Sequence, residues 1–244
     1  FTLLWGCADI SAAKPPDCGG NPPAMTSHHN QTDTTHPAPR LYLVTPQISD
    51  PVGMRDVLAA ALSTADVAAV LLRLAAADER TLINRAKAIA PMVQDKGAAL
   101  LLDGLPGIVA HAGADGAHLA GIDAFKAALT TLKPARIAGC GGLGTRHDAM
   151  VAAESGADYV MFGEPDERQR RPSFDAVVDR VAWWAQLFEI PCVGFADSLE
   201  EVGPLAAAGA DFIAVGEWIF AHAGGPAAAI AEAAGRLALA EAAG

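Results

Sequence analysis

Gly156-Ala157-Asp158-Tyr159-Val160-Met161-Phe162 decides the fold, because the chain repeats its pattern. Gly113-Ala114-Asp115 leads into Gly-Ala-His-Leu, and Gly209-Ala210-Asp211 leads into Phe-Ile-Ala-Val. A weaker copy, Thr64-Ala65-Asp66, leads into Val-Ala-Ala-Val-Leu-Leu. Successive copies start 49, 43 and 53 residues apart. One strand, one helix and two loops take roughly 20–25 residues, so each interval holds two βα units. Four marks at every second strand describe eight units, a single (β/α)8 TIM barrel. In each copy the first residue ends a helix, Ala packs in a short loop and Asp opens a strand. These aspartates therefore belong to the N-terminal face of the barrel, which carries stability, and chemistry is expected at the opposite face.

The chain has 244 residues, and a barrel takes about 250, so one domain uses nearly all of it. Residues 40–244 read as the barrel and residues 1–39 as an irregular, disordered leader with Pro15-Pro16, Gly19-Gly20 and Pro22-Pro23. Leu3-Leu4-Trp5-Gly6-Cys7 is similar to a lipoprotein cleavage site, but no basic segment precedes it, which favours a translated leader over a targeting signal. The net charge of −11 argues against nucleic acid and against anionic membrane surfaces. No apolar run approaches the about 20 residues of a spanning helix. Cys7 and Cys18 lie in the leader. Cys140 and Cys192 lie in expected strands without metal-ligand spacing, so reduced thiols in the cytoplasm are expected.

The eight strands are expected at Leu41–Thr45, Val67–Arg73, Ala98–Asp103, Gly116–Leu119, Arg136–Cys140, Tyr159–Gly163, Pro191–Phe195 and Phe212–Gly216. Asp50, Thr145 and Ser173 are expected helix caps, with Asp197 or Ser198 before the seventh helix. The last helix is expected at Pro226–Ala242. Candidate site residues follow from strand ends. Arg73 closes a strongly apolar run and suits a phosphate or carboxylate. Asp103 ends the third strand, and His118 lies in the fourth with Asp123 just beyond. Two carboxylates suit a divalent ion shared with substrate phosphates. Gly141, Gly142, Gly163 and Gly216 offer backbone N–H groups to an anion. Each has a plainer reading: Asp123 as a helix cap, His118 as a satisfied core histidine, the glycines as turns, and Arg168–Arg171 as a solvated loop.

Taken in order, Leu41-Tyr-Leu-Val-Thr45, Leu72-Arg73, Gly113–Asp123, Gly156–Gly163 and Gly209–Val215 resemble the thiamine phosphate synthase family, whose barrel the thiazole tautomerases share. The resemblance spans about residues 40–222 and is most specific at Gly113–Asp123. It implies joining of a pyrimidine pyrophosphate to a thiazole phosphate in thiamine biosynthesis, a transferase reaction assisted by Mg2+. Arg73 matches the arginine of the family's Gln-Leu-Arg-Glu-Lys. Asp103 and Asp123 match its two metal aspartates, and His118 falls in the same strand-four motif. The resemblance also implies a small phosphorylated or heteroaromatic substrate and leaves a homo-oligomer open.

The ligand shell departs from that pattern. Leu71 stands for the Gln, Leu74-Ala75 for the Glu-Lys, Leu102 and Gly104 for the Asn and Arg around Asp103, and Gly121 for a Gln. His147 falls three residues too late for the family's Ser-x-His. Glu164–Arg171 replaces a Thr- and Lys-bearing loop. Asp197 and Glu217 replace phosphate-binding turn residues, where each would repel a phosphate dianion by about 1–4 kcal/mol at intermediate dielectric. Two other readings follow: a non-catalytic binding or sensor barrel, and an isomerase with His118 or His147 as proton carrier.

Overall fold

The computed structural model describes residues 38–166, 168 and 170–242; residues 1–37 of the leader, with Cys7 and Cys18, lie outside the described residues. The strands are β1 (Arg40–Val44), β2 (Val67–Leu72), β3 (Ala99–Asp103), β4 (Gly116–Ala120), β5 (Ile137–Gly141), β6 (Tyr159–Phe162), β7 (Cys192–Ala196) and β8 (Phe212–Val215). All pair in parallel with their sequence neighbours, and β8 returns to β1, closing the barrel. The helices are α1 (Pro51–Leu62), α2 (Glu79–Gln94), α3 (Val109–Ala112), α4 (Ile122–Leu132), α5 (Arg146–Glu154), α6 (Phe174–Leu187), α7 (Leu199–Ala207), α8 (Glu217–Ala221) and α9 (Gly225–Glu241).

Side chains alternate along each strand, so the core has two compartments. Tyr42, Leu71, Leu101, Tyr159, Val193 and Ala214 belong to the cluster inside the barrel. Their neighbours Leu41, Leu43, Val70, Leu72, Leu100 and Leu102 pack outward with the helices. Trp184 of α6 is fully buried there, stacked on Phe188 and edge-on to Phe162. Its indole N–H donates to the Ile190 carbonyl at 2.7 Å.

The repeated aspartates close the floor. Gly113, Gly156 and Gly209 all have positive φ, the left-handed turn that ends a helix without a Cβ penalty. Asp115 then accepts the backbone N–H of Leu100 on β3 at 2.8 Å, Asp158 that of Ala138 on β5 at 2.7 Å, and Asp211 that of Cys192 on β7 at 2.8 Å. Each clips the strand preceding its own. Asp66, in the copy without glycine, holds Arg40 of β1 by two 2.7 Å bonds instead.

Several boundaries differ from expectation by a residue, because a strand ends where its ladder bonds end. Arg73, Gly163 and Gly216 lie just past their strands, while Gly141 closes β5. Helix α4 starts at Ile122 with Gly121 as N-cap, so Asp123 is a first-turn residue and not the cap. Asp50 caps α1, and Thr145 forms a full capping box with Asp148. Ser173 and Ser198 occupy N-cap positions without side-chain cap bonds. The short helix α8, which lies between β8 and α9, is absent from the sequence reading; at five residues it carries too little periodicity to be seen.

Candidate functional site

The alternation that fills the barrel also aims the mouth. Leu71 and Leu101 face inward, so Arg73 and Asp103, two residues further on, continue the same face at the rim. Thr45, fully buried at the end of β1, accepts the Arg73 backbone N–H at 3.0 Å and anchors this corner. The Arg73 guanidinium then lies between two carboxylates, with Nε 3.5 Å from Asp103 and Nη1 3.2 Å from Glu217. Asp103 is the register partner of His118 on β4. Arg73, Asp103 and His118 thus form one cluster, whereas Asp123 is exposed in the first turn of α4, apart from that contact network.

His118 is 2 % exposed, and both ring nitrogens are engaged. Nδ1 lies 2.9 Å from the Tyr159 hydroxyl, which lies 2.9 Å from the Tyr42 hydroxyl. Nε2 lies 2.9 Å from Oε2 of Glu164, just past β6. Burial pulls the imidazole pKa down, but the Glu164 carboxylate, with Asp103 adding, turns the net shift upward. Burial also raises both tyrosines and pushes Cys140 and Cys192 up to about 12, which keeps those thiols inert.

Two glycines of β5 make room for this buried chain. A Cβ on Gly139 would meet the Tyr159 ring at 2.0 Å, and one on Gly141 would meet Glu164 Oε1 at 2.1 Å. Gly142 has φ +62 and abuts the backbone around Gly121, Gly163 has φ +93 against Val177, and Gly216 is the N-cap of α8 beside Phe195.

The opposite side of the mouth carries a second ionic group. Arg171, expected to be solvated, is only 16 % exposed. It donates to Glu201 at 2.9 Å and to the Phe195 carbonyl at 3.3 Å, and lies 3.6 Å from Asp197. Arg170, by contrast, is exposed and paired with Asp166. Asp197 and Glu217 are therefore not bare charges. Each faces an arginine, which reduces the repulsion expected for a phosphate between them.

Sequence reasoning did not single out Tyr42 and Tyr159, and it placed Glu164 and Arg171 in the loop after the sixth strand without their contacts to His118 and Glu201. Inward register could have found the tyrosines, since Tyr42 and Tyr159 share the inner face with apolar neighbours. Glu164 and Arg171 sit in a loop whose path no local pattern reveals.

Among the described residues, no three His, Cys, Asp or Glu side chains converge as a ready metal cage. Mg2+ needs no such cage, because it is typically held by one or two carboxylates together with substrate phosphates. The hard oxygens of Asp103 and Asp123 suit it in kind. No helix among the described residues is long and apolar enough to cross a membrane.

Fold and mouth together define a (β/α)8 barrel with converging charged groups at its C-terminal face. The family model for thiamine monophosphate synthase matches residues 41–219. The chain belongs to that family. A thiamine-phosphate synthase from Rhodospirillum centenum is 38 % identical over 79 % of this chain and 95 % of its own length. One from Hyphomonas neptunium is 36 % identical over 82 % of this chain and 95 % of its own. Among solved structures, thiamine phosphate pyrophosphorylase from Pyrococcus furiosus superposes with TM-score 0.69 at 19 % identity, covering 82 % of this chain and 96 % of that one. A 3-hexulose-6-phosphate synthase from Salmonella typhimurium gives TM-score 0.64 at 15 % identity, covering 82 % and 99 %. At such identities the structural likeness describes the fold alone.

Proposed function

We propose that this chain is a thiamine-phosphate synthase, joining a pyrimidine pyrophosphate to a thiazole phosphate. The observation that carries this reading is the grouping of Arg73, just past β2, with Asp103 on β3 and His118 on β4 of a family-matched barrel. Bond breaking at the pyrimidine methylene leaves a cation and releases pyrophosphate, and the thiazole nitrogen then closes the new bond. Asp103 and Asp123 would hold Mg2+ with the pyrophosphate oxygens, supplying charge neutralisation for the leaving group. Arg73, tethered through Thr45, adds a fixed positive group on the same side. His118, held between Tyr159 and Glu164, is a catalytic candidate in this reading.

Backbone N–H groups at Gly141, Gly142, Gly163 and Gly216 are proposed phosphate contacts, with Arg171 offsetting Asp197. The free, buried thiols of Cys140 and Cys192 are in keeping with a proposed cytoplasmic reaction, and the proposed partners are small molecules, whether the protein works alone or as a homo-oligomer. The test is direct. Purified protein is mixed with both substrates and Mg2+, and thiamine phosphate is followed by chromatography. Product that depends on Mg2+ and is lost in Asp103→Ala is expected. Absence of product from the unaltered chain overturns the reading.

A further inference from the structure

The glycine-rich turn after β5 is held in place from outside the barrel. Gly142, with φ +62, and Gly144 flank Leu143, so the turn's own backbone has several conformations open to it. Helix α6 removes that freedom. Its Val177 lies against Gly163, where a Cβ would come within 2.7 Å of Val177 Cγ1, so the helix sits close on the end of β6. Arg180, three residues on, reaches the turn. Its Nη1 donates to the Leu143 carbonyl at 2.7 Å and its Nη2 to the Gly144 carbonyl at 3.3 Å. Trp183, three residues further, takes the Arg146 guanidinium over its ring at 4.8 Å. One face of α6 thus holds both the turn and the first residue of α5.

The arginine fork fixes more than two carbonyls. In a trans peptide the C=O and the N–H that follows it point in opposite directions. With the Leu143 and Gly144 carbonyls turned to α6, the N–H groups of Gly144 and Thr145 point away from it. The Thr145 N–H is taken by Asp148 at 2.8 Å. The Gly144 N–H has no acceptor among the described residues. The turn's other flank is the end of β4. A Cβ at residue 142 would lie 3.0 Å from the Gly121 nitrogen, and Gly121 is the N-cap of the helix that carries Asp123. A flipped peptide would put a carbonyl oxygen where the N–H now stands, and an anion there would meet lone pairs.

We infer that Arg180 is a positioning residue for the proposed reaction: by holding the Leu143 and Gly144 carbonyls to α6, it keeps the N–H edge of the β5–α5 turn open to the phosphate groups of the ligand. Arg180 acts through the turn and touches no substrate. The inference rests on the synthase reading for the identity of that ligand, the pyrimidine pyrophosphate.

The test compares Arg180→Ala with the unaltered full chain. Affinity for inorganic pyrophosphate with Mg2+ is measured by calorimetry in dilute salt and at about 0.5 M sodium chloride, where a bare charge is screened beyond a few ångströms. Arg180→Ala is expected to bind about 10-fold more weakly at both salt levels. Its KM for the pyrimidine pyrophosphate is expected to rise by a like factor, with kcat within about twofold. Should Arg180→Ala fold poorly by circular dichroism, Arg180→Lys serves instead: it keeps the charge but lacks the planar fork, and is expected to bind about threefold more weakly. Equal affinity in the folded variant, a deficit that disappears at high salt, a fall in kcat with binding unchanged, or no pyrophosphate binding by the unaltered chain overturns the inference. The expected deficit without thiamine phosphate formation by the unaltered chain counts against the synthase reading alone. Product formation with kinetics unchanged in Arg180→Ala counts against Arg180 alone.

Discussion

The floor and the mouth of this barrel use the same residue types in opposite ways. On the floor, Asp115, Asp158 and Asp211 each hold a strand N–H of the unit before, and Asp158 also takes the Lys133 ammonium. At the mouth, Asp103 and Glu217 share one arginine, Asp197 and Glu201 share another, and Glu164 keeps an oxygen unmatched. Floor carboxylates are short, bonded to backbone and set by a local tripeptide. Mouth carboxylates meet side chains from distant units. The lesson is that an acid bonded to its own scaffold contributes to stability, while one paired with an arginine at the rim stands on the face where barrels carry their chemistry.

The sharpest break of this contrast comes from Asp103→Ala. Synthase turnover is expected to fall by at least about 100-fold, with the thermal midpoint nearly unchanged because the residue is partly exposed. Steady-state kinetics beside a melting curve checks both halves. An active Asp103→Ala enzyme would remove Asp103 from the proposed machinery.

Next in size is Gly139→Ala. The added methyl collides with the Tyr159 ring, and overpacking of this kind costs about 1–3 kcal/mol or more. Urea denaturation measures it, and the hydrogen-bonded chain from Tyr42 to Glu164 should be displaced with it. An unaltered midpoint would mean that the ring has room to move.

On the floor, Asp158→Ala leaves the Ala138 N–H without its acceptor. A loss of about 1–3 kcal/mol is expected in the same assay, with kcat per folded molecule unchanged. A large kcat defect would erase the distinction between the two faces.

The smallest effects are in pH dependence, and their signs differ. His118 has its pKa raised above its ordinary 6.5, with Glu164 and Asp103 outweighing burial. The folded state holds that proton more tightly, so the contribution is complete below about 6.5 and is lost as pH rises through the raised value. Asp66 is lowered from 3.8, chiefly by its hydrogen bond from Arg40. Its contribution is present above 3.8 and is lost as pH falls through the lowered value. Glu164→Gln should therefore flatten the alkaline limb of a stability profile and Asp66→Asn the acid limb. Either variant altering the other limb would contradict the assignment.

Much of this was legible in the chain itself. The Gly-Ala-Asp spacing set the number of units, and the aspartates of that repeat fell on the floor, because a helix stop, a short loop and a strand start are local events. The positions of Arg73 and Asp103 at the rim were legible as the ends of apolar runs, since a strand's last residues stand at the C-terminal face. The environment of His118 was decided by tertiary structure alone. Its partners Tyr159 and Glu164 lie 41 and 46 residues away, and Tyr42 is 117 residues from Tyr159. Arg171 likewise reached Glu201 across 30 residues instead of solvent. Closing the sheet brings the inner faces of β1, β4 and β6 within hydrogen-bond distance, and no pattern along one strand records which side chain will stand across the barrel from it.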